Sequence, residues 1–385
     1  MRIAFFHNLP SGGGKRSAHE WIKRMAQKHE VDLYLYDPTA EDFLDMRPFV
    51  NRTVVIPGGE TGGERQLGRL KAFVRVRRAS MEVARRINAG GYDLAFIMQC
   101  KVSNTPFVLC YLRLPSLYFC HEPATKLLEP QTRADDGRMA FIKREFIRWI
   151  VRLDGTNARH ATLICANSLY SCENIYRSYG VYPRLNYLGV DPELFAPQNL
   201  TREPMILSIG PLHPNKDQLF IVESVGSLKE RPGITFVYNF AYGPADYQAR
   251  IEQLAQRLGV VVSFVHLASD PDLVGLYNRA SIAVYPSRLE PFGFVPLESM
   301  SCGTPVVGVA EGGIRETIQH SETGLLTERD PVEFGRAIEM LLKDSVLWNR
   351  LAITGRQRVL ERWTWEKSYE KLEKHMRMTV ERWKC

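Results

Sequence analysis

Apolar runs of four to seven residues recur along the chain, separated by stretches in which apolar positions return every three or four residues. Continuous short runs read as strands covered on both faces, and the 3.6-residue return reads as helices packed along one side. In the first half, strands are expected at 2 to 7, 31 to 36, 93 to 98, 115 to 120, 161 to 166 and 184 to 188. In the second, they are expected at 205 to 210, 234 to 239, 261 to 266, 281 to 285 and 305 to 309. Strand alternating with helix is the signature of the α/β class, with parallel sheets carrying helices on their faces. A chain of 385 residues exceeds what one core usually serves, so two domains are expected. The polar stretch Pro197-Gln-Asn-Leu-Thr-Arg-Glu-Pro204, bracketed by prolines, puts the boundary at residues 200/201.

Between the expected strands 281 to 285 and 305 to 309 lies Glu290-Pro-Phe-Gly-Phe-Val-Pro-Leu-Glu298. A helix tolerates proline only where its missing NH would be unpaired anyway, so a helix is expected to open between Gly293 and Pro296. The free NH groups of that turn and the positive end of the helix dipole form a site for phosphate oxygens. Glu298, roughly 5 Å further along the axis, is placed to accept hydrogen bonds from a ribose diol, and Glu290 to face a sugar. An acid in the first turn is also favoured by the dipole alone, so a purely structural pair stays open at this point. After it come Ser301-Cys-Gly-Thr-Pro305, the apolar Val306 to Val309, and Glu311-Gly-Gly-Ile-Arg-Glu316. Both loops fall at the carboxyl edge of a parallel sheet, where ligands of open α/β folds bind.

The run from Tyr285 to Leu326, YPSRLEPFGFVPLESMSCGTPVVGVAEGGIRETIQHSETGLL, resembles the donor-binding region of the retaining glycosyltransferases of family 4, and weaker matches extend over nearly the whole chain. The resemblance implies a GT-B fold, two Rossmann-like parallel-sheet domains facing a central cleft. The first, 1 to 200, would bind the acceptor, and the second, 201 to 363, the nucleotide sugar. The helical stretch at 364 to 385, from Trp365 to Trp383, would pack back on the first domain. The resemblance further implies that Glu290 contacts the transferred sugar, that Glu298 holds the ribose, and that NH groups of Phe292, Gly293 and Phe294 bind sugar or diphosphate.

In Gly210-Pro-Leu-His-Pro-Asn-Lys216, Lys216 matches the family lysine on the donor phosphates. The arginine usual after that glycine is replaced by Pro211. A cation there neutralises charge growing on the leaving diphosphate, so Arg288 or Lys15 is the candidate to compensate. His121, after Ser116-Leu-Tyr-Phe-Cys120, matches a histidine near the transferred sugar, with Glu122 or a structural histidine as alternatives. The first expected strand leads into Ser11-Gly-Gly-Gly-Lys-Arg16, which lacks the spacing of a P-loop or a dinucleotide fingerprint. A plain turn would explain it, but its place favours contact of Gly12 and Gly13 with the donor diphosphate. Same-face attack, with the leaving phosphate taking the acceptor's proton, is the family's mechanism. Glu290, His121 and Lys216 are then the expected catalytic residues, as transition-state stabilisers, and no metal or cofactor is expected.

Charge adds a separate clue. The whole chain carries +7, and residues 65 to 86 hold eight basic residues against one acid, Glu82, so the remainder sums to zero. On a helical wheel Lys71, Arg75, Arg78, Arg85 and Arg86 share one side, with Leu70, Phe73, Val76, Met81 and Ile87 opposite. Residues 139 to 153 repeat the pattern, with Met139, Ile142, Phe146, Trp149, Ile150 and Leu153 facing away from Arg144, Arg148 and Arg152. Such helices suit an anionic membrane surface or a solvated face over a packed core. The concentration of charge in 65 to 86 favours an anionic partner such as a lipid-linked acceptor, while 139 to 153 reads as the solvated face. No nucleic-acid module is recognisable, so no nucleic acid is expected as a partner. No window approaches 18 consecutive apolar residues, and Met1 to His7 reads as a strand start, so a cytoplasmic protein, peripheral on the membrane's inner face, is expected. Seven cysteines without C-x-x-C spacing read as reduced structural thiols.

The reading is a retaining transferase moving a sugar from a nucleotide diphosphate to a lipid-linked or envelope-glycan acceptor. Its rivals are a phosphorylase or epimerase on the same fold, and a nucleotide-sugar-binding partner subunit with weakened catalysis, for which Pro211 argues.

Overall fold

The computed structural model describes residues 1–58, 66–125, 138–238, 246–266 and 269–384, with backbone only at 66–70 and 138–143. The chain divides into two compact units, Met1–Leu188 with Trp365–Cys385, and Gly189–Thr364.

The first unit carries a parallel sheet of seven strands: β1 (Arg2–Asn8), β2 (Glu30–Leu35), β3 (Arg52–Val55), β4 (Leu94–Cys100), β5 (Ser116–Cys120), β6 (Leu163–Ala166) and β7 (Arg184–Leu185). Their order is β3-β2-β1-β4-β5-β6-β7. Ile3, Ala4, Phe5 and Phe6 of β1 are all fully buried, which explains a continuous apolar run rather than an alternating one. Its helices are α1 (Gly13–Met25), α2 (Gln66–Ala89), α3 (Arg138–Ala158) and α4 (Leu169–Tyr179). The second unit repeats the plan with β8 (Glu203–Ile209), β9 (Gly233–Tyr238), β10 (Val262–His266), β11 (Ala280–Tyr285), β12 (Val306–Val309) and β13 (Leu325–Thr327), ordered β10-β9-β8-β11-β12-β13. Around them run α5 (Gln218–Gly226), α6 (Tyr247–Leu258), α7 (Asp270–Arg279), α8 (Phe294–Ser301), α9 (Ile314–Thr317), α10 (Pro331–Lys343) and α11 (Ser345–Arg362), before α12 (Trp365–Lys384). In each sheet the order reverses beside the first strand, between β1 and β4 and between β8 and β11, the doubly wound arrangement in which ligands sit at the switch point.

The division at Leu188/Gly189 lies twelve residues before the expected 200/201. The intervening segment is bonded into the second unit. Arg356 donates to the carbonyls of Pro192 (3.2 Å) and Phe195 (2.9 Å), Ser301 Oγ to Phe195 O (2.6 Å), and Asn278 Nδ2 to Ala196 O (3.0 Å). The prolines at 197 and 204 therefore bracket a surface loop rather than the crossing. Helix α12 closes the first unit: Trp365 meets Trp21 edge-on at 6.3 Å, and Trp21 Nε1 donates to Ser368 Oγ at 3.0 Å.

Two strands escaped the sequence pattern. β3 is a half-exposed edge strand of four residues and β13 has only three, so neither shows the buried apolar run of the others. On α2, Phe73, Val76 and Ile87 are buried as expected, whereas Met81 is 51% exposed. Met81 stands seven residues from Val74, also exposed at 49%, and so lies on the solvent stripe with the basic residues. Arg65 and the side chains of Leu70, Met139 and Ile142 lie outside the described residues. On α3, Trp149 is 42% exposed, though it packs against Phe146 and Phe73 at 5.7 and 5.4 Å. The six described cysteines are free thiols. Among the described residues no helix is long and apolar enough to cross a membrane.

Candidate functional site

In the second unit, the carboxyl ends of β8 and β11 gather the expected donor-site residues. Gly210 leaves β8 with φ 146°, and a Cβ there would come 3.3 Å from the Lys216 stem, so glycine lets the lysine lie back across the strand end. Lys216 Nζ stands 2.6 Å from Glu290 Oε2 and 5.5 Å from the centre of the Tyr285 ring. Burial alone would lower the Lys216 pKa, but the Glu290 charge, with Tyr285 beside it, holds the ammonium well above the ordinary lysine value.

Glu290 is carried by a turn that needs its neighbours' glycines. Gly313 N donates to Glu290 O at 2.8 Å, and a Cβ on Gly313 would fall 2.1 Å from Pro291 O. Gly312, at φ 58°, would place a Cβ 2.5 Å from Glu290 O. The Glu311-Gly-Gly loop after β12 therefore seats the Glu290 turn backbone to backbone. Helix α8 then opens at Phe294 with Gly293 (φ 89°) as its N-cap, inside the expected window. Gly293 has no side chain to cap it, and the backbone NH groups and dipole of a helix start are the usual features of an anion site. Pro296 and Glu298 both sit on α8, and Glu298, only 6% exposed, accepts a hydrogen bond from Tyr277 OH at 2.8 Å.

Arg288 Nη2 lies 2.7 Å from Asp217 Oδ2, the same oxygen that Arg329 Nη1 approaches at 2.7 Å. Arg329 also forks onto Glu311, at 2.7 and 2.8 Å. Four loops of the sheet edge thus meet in one charge network. Tyr277, Asp217 and Arg329 were invisible to sequence reasoning. Tyr277 looks like any core tyrosine, and Arg329 follows a strand too short to be expected.

In the first unit, Gly12 (φ 134°) caps α1 and Gly13 is its first residue, so the glycine run forms a helix N-terminus. Gly14 lies against His121, its absent Cβ 3.4 Å from Nε2. His121 Nε2 is 3.3 Å from Ser17 Oγ, whose hydroxyl donates to Gly14 O, and Nδ1 is 3.4 Å from the Asn167 amide. The bonding fits a neutral ring protonated at Nε2. Burial pushes its pKa down to about 4. The structure thus brings His121, Gly12 and Gly13 together at one edge of the first sheet.

Lys15 does not join them. Its side chain is 1% exposed and ion-paired with Glu41, which also takes His7 Nε2 at 2.8 Å and the Met46 NH at 2.7 Å. Of the two cations expected to compensate for Pro211, Lys15 is thus engaged by Glu41, and Arg288 lies in the same unit as Lys216 and Glu290. Among the described residues no group of three or more His, Cys, Asp or Glu side chains is placed to hold a metal ion.

Residues 190–358 match the family model of the glycosyl transferases group 1. The human alpha-1,3/1,6-mannosyltransferase ALG2 is 26% identical over 313 residues, 74% of this chain and 73% of that protein. A D-inositol 3-phosphate glycosyltransferase of Geodermatophilus obscurus is 28% identical over 55% of this chain, which spans about half, 51%, of the relative's length. Anabaena HepE, solved in complex with UDP-glucose, superposes with a TM-score of 0.75 at 20% identity, covering 98% of this chain and 100% of HepE. At that identity the likeness establishes the fold, GT-B with its two Rossmann-like units. Residues 190–358, most of the second unit, are thus similar to the glycosyl transferases group 1, in a chain whose fold is GT-B.

Proposed function

We propose that the protein transfers a hexosyl group, with retention, from a nucleoside diphosphate sugar to a lipid-linked or envelope-glycan acceptor, as a family 4 enzyme. The observation that carries this is the Lys216–Glu290 pair beside the start of α8, within the residues matched by the family model. In this reading Glu298 takes the ribose hydroxyls, and Phe292, Gly293 and Phe294 offer backbone to the diphosphate or sugar. Lys216 and Arg288 neutralise charge on the departing diphosphate, and Glu290 meets the sugar as positive character grows at its anomeric carbon. The first unit takes the acceptor, with neutral His121 and the Gly12–Gly13 helix start contributing to the transferred group. No step calls for a metal.

The acceptor's lipid character is supported by α2. Lys71, Arg75 and Arg78 share its exposed stripe with Val74 and Met81, the mixture of cations and apolar side chains that enters an anionic lipid interface. Arg85 and Arg86 both bond Glu82, so they contribute less. A peripheral place on the membrane follows from this reading.

The test is incubation with UDP-, GDP- and ADP-sugars, following nucleotide release and the anomeric configuration of the product. Release stimulated by an acceptor, with configuration kept, is expected. Donor binding without release under any acceptor would replace the transferase by a nucleotide-sugar-binding partner, and inversion would remove the retaining assignment.

A further inference from the structure

The turn between Arg288 and Glu290 is strained, and the residue that holds it lies forty positions away in sequence. Leu289 has φ 47°, a region that bulky side chains avoid and keep only where the surroundings over-determine it. Arg329, just beyond β13, supplies that determination from two sides. Its Nε and Nη2 donate to the Glu311 carboxylate at 2.7 and 2.8 Å, and Nη2 also donates to Pro286 O at 3.0 Å. Glu311 in turn accepts the backbone NH of Leu289. On the other side Arg329 Nη1 meets Asp217 Oδ2, which grips Arg288 at 2.7 Å. Asp217 is itself left-handed, with φ 52°. The Arg329 guanidinium also lies 5.5 Å over the Phe220 ring, and its side chain is 16% exposed, so its donors are committed to protein.

We propose that Arg329 is a positioning residue of the donor site, holding the Leu289 turn through Glu311 and aiming Arg288 through Asp217, so that Arg288 and Glu290 together face the diphosphate and the sugar. The proposal rests on the donor-site reading above. Only a planar fork reaches two carboxylates and a carbonyl at once, so lysine does not replace it.

The test is steady-state kinetics with the full chain, together with binding of UDP, GDP and ADP, for Arg329→Lys, Arg329→Met, Arg288→Gln, Asp217→Asn and two double variants. Arg329→Met and Arg329→Lys are expected to lose kcat about 10- to 100-fold, the scale of a misplaced charged hydrogen-bonding group. Because Arg329 acts partly through Arg288, the double variant Arg329→Met/Arg288→Gln is expected within about 3-fold of the worse single. Leu289→Gly, which adopts the same φ without strain, is expected to return part of the rate lost in Arg329→Met. Should Arg329→Met fail to fold, Asp217→Asn, nearly isosteric, carries the same comparison with Arg288→Gln. A wild type that binds none of the three nucleotides overturns the donor-site reading and this proposal with it. A wild type that binds and turns over, while the Arg329 losses multiply with those of Arg288 or are absent, overturns the proposal alone.

Discussion

The Lys216 ammonium stands 2.6 Å from the Glu290 carboxylate, and each side chain stays partly open to solvent, 20% and 26% exposed. The two charges therefore hold each other in the free protein, and under the proposed function phosphate oxygens would engage the lysine while a sugar gaining positive character would engage the glutamate. Lys216→Met is expected to lower kcat/KM for the donor about 100- to 1,000-fold, the scale of losing a group aimed at transition-state charge. Nucleotide release measured against donor concentration checks it, and a variant within about 3-fold of wild type would place the leaving-group cation elsewhere.

Tyr277 donates to Glu298 Oε2 at 2.8 Å from a fully buried ring. Tyr277→Phe removes that hydrogen bond while conserving the ring, so KM for the donor is expected to rise about 10-fold, with stability down about 1 kcal/mol. Titration with the matching nucleoside diphosphate and a thermal melt separate the two effects. An unchanged KM alongside a lowered melting temperature would make Tyr277 purely structural.

Gly313 admits no side chain, since a Cβ would stand 2.1 Å from Pro291 O. Gly313→Ala is expected to displace the Glu290 turn, abolishing measurable turnover and costing about 1–3 kcal/mol of stability, the usual range for overpacking. A crystal structure of the variant with Glu290 in its wild-type position would contradict this.

His7 is fully buried and His121 partly so, and desolvation brings each pKa down to about 4 from 6.5. The unfolded chain binds more protons between those values, so their stability contribution is complete above pH 6.5 and is lost as pH falls through 4. His7→Gln and His121→Gln should each flatten the fall of melting temperature across that window, and a slope unchanged in both would disprove the assignment.

On α2, replacing Lys71, Arg75 and Arg78 with glutamine is expected to weaken sedimentation with phosphatidylserine vesicles about 10-fold or more, near 1 kcal/mol per cation. Replacing Arg85 and Arg86, already bonded to Glu82, should matter less. Equal effects from both sets would point to net charge rather than to the stripe.

The strands buried on both faces were legible because their burial leaves nothing polar in the run, and α8 because Gly293 and Pro296 leave one place for a helix to open. The edge strands β3 and β13 were not, since short or half-exposed segments lack that contrast. Lys15 shows a different limit. In sequence it stands beside three glycines like a phosphate ligand, and only the folded chain brings Glu41 to bury it. Arg329 shows the converse, its partners spread across loops after β8, β11 and β12, so that no local window contains the network. The boundary was misplaced for the same reason: what assigns residues 189 to 197 to the second unit is their bonding to Asn278, Ser301 and Arg356.

The second unit enters and leaves the chain at neighbouring points, with Val190 N donating to Trp363 O at 2.7 Å. Its own ends are thus stitched together inside its own contacts, as in an inserted domain. Cutting at Leu188/Gly189 and Thr364/Trp365 would free a fragment whose termini already lie side by side, and joining them by a short linker would cost little closure entropy. The second unit is in that sense a portable module, whereas the first is assembled from two separate stretches of chain, Met1–Leu188 and Trp365–Cys385.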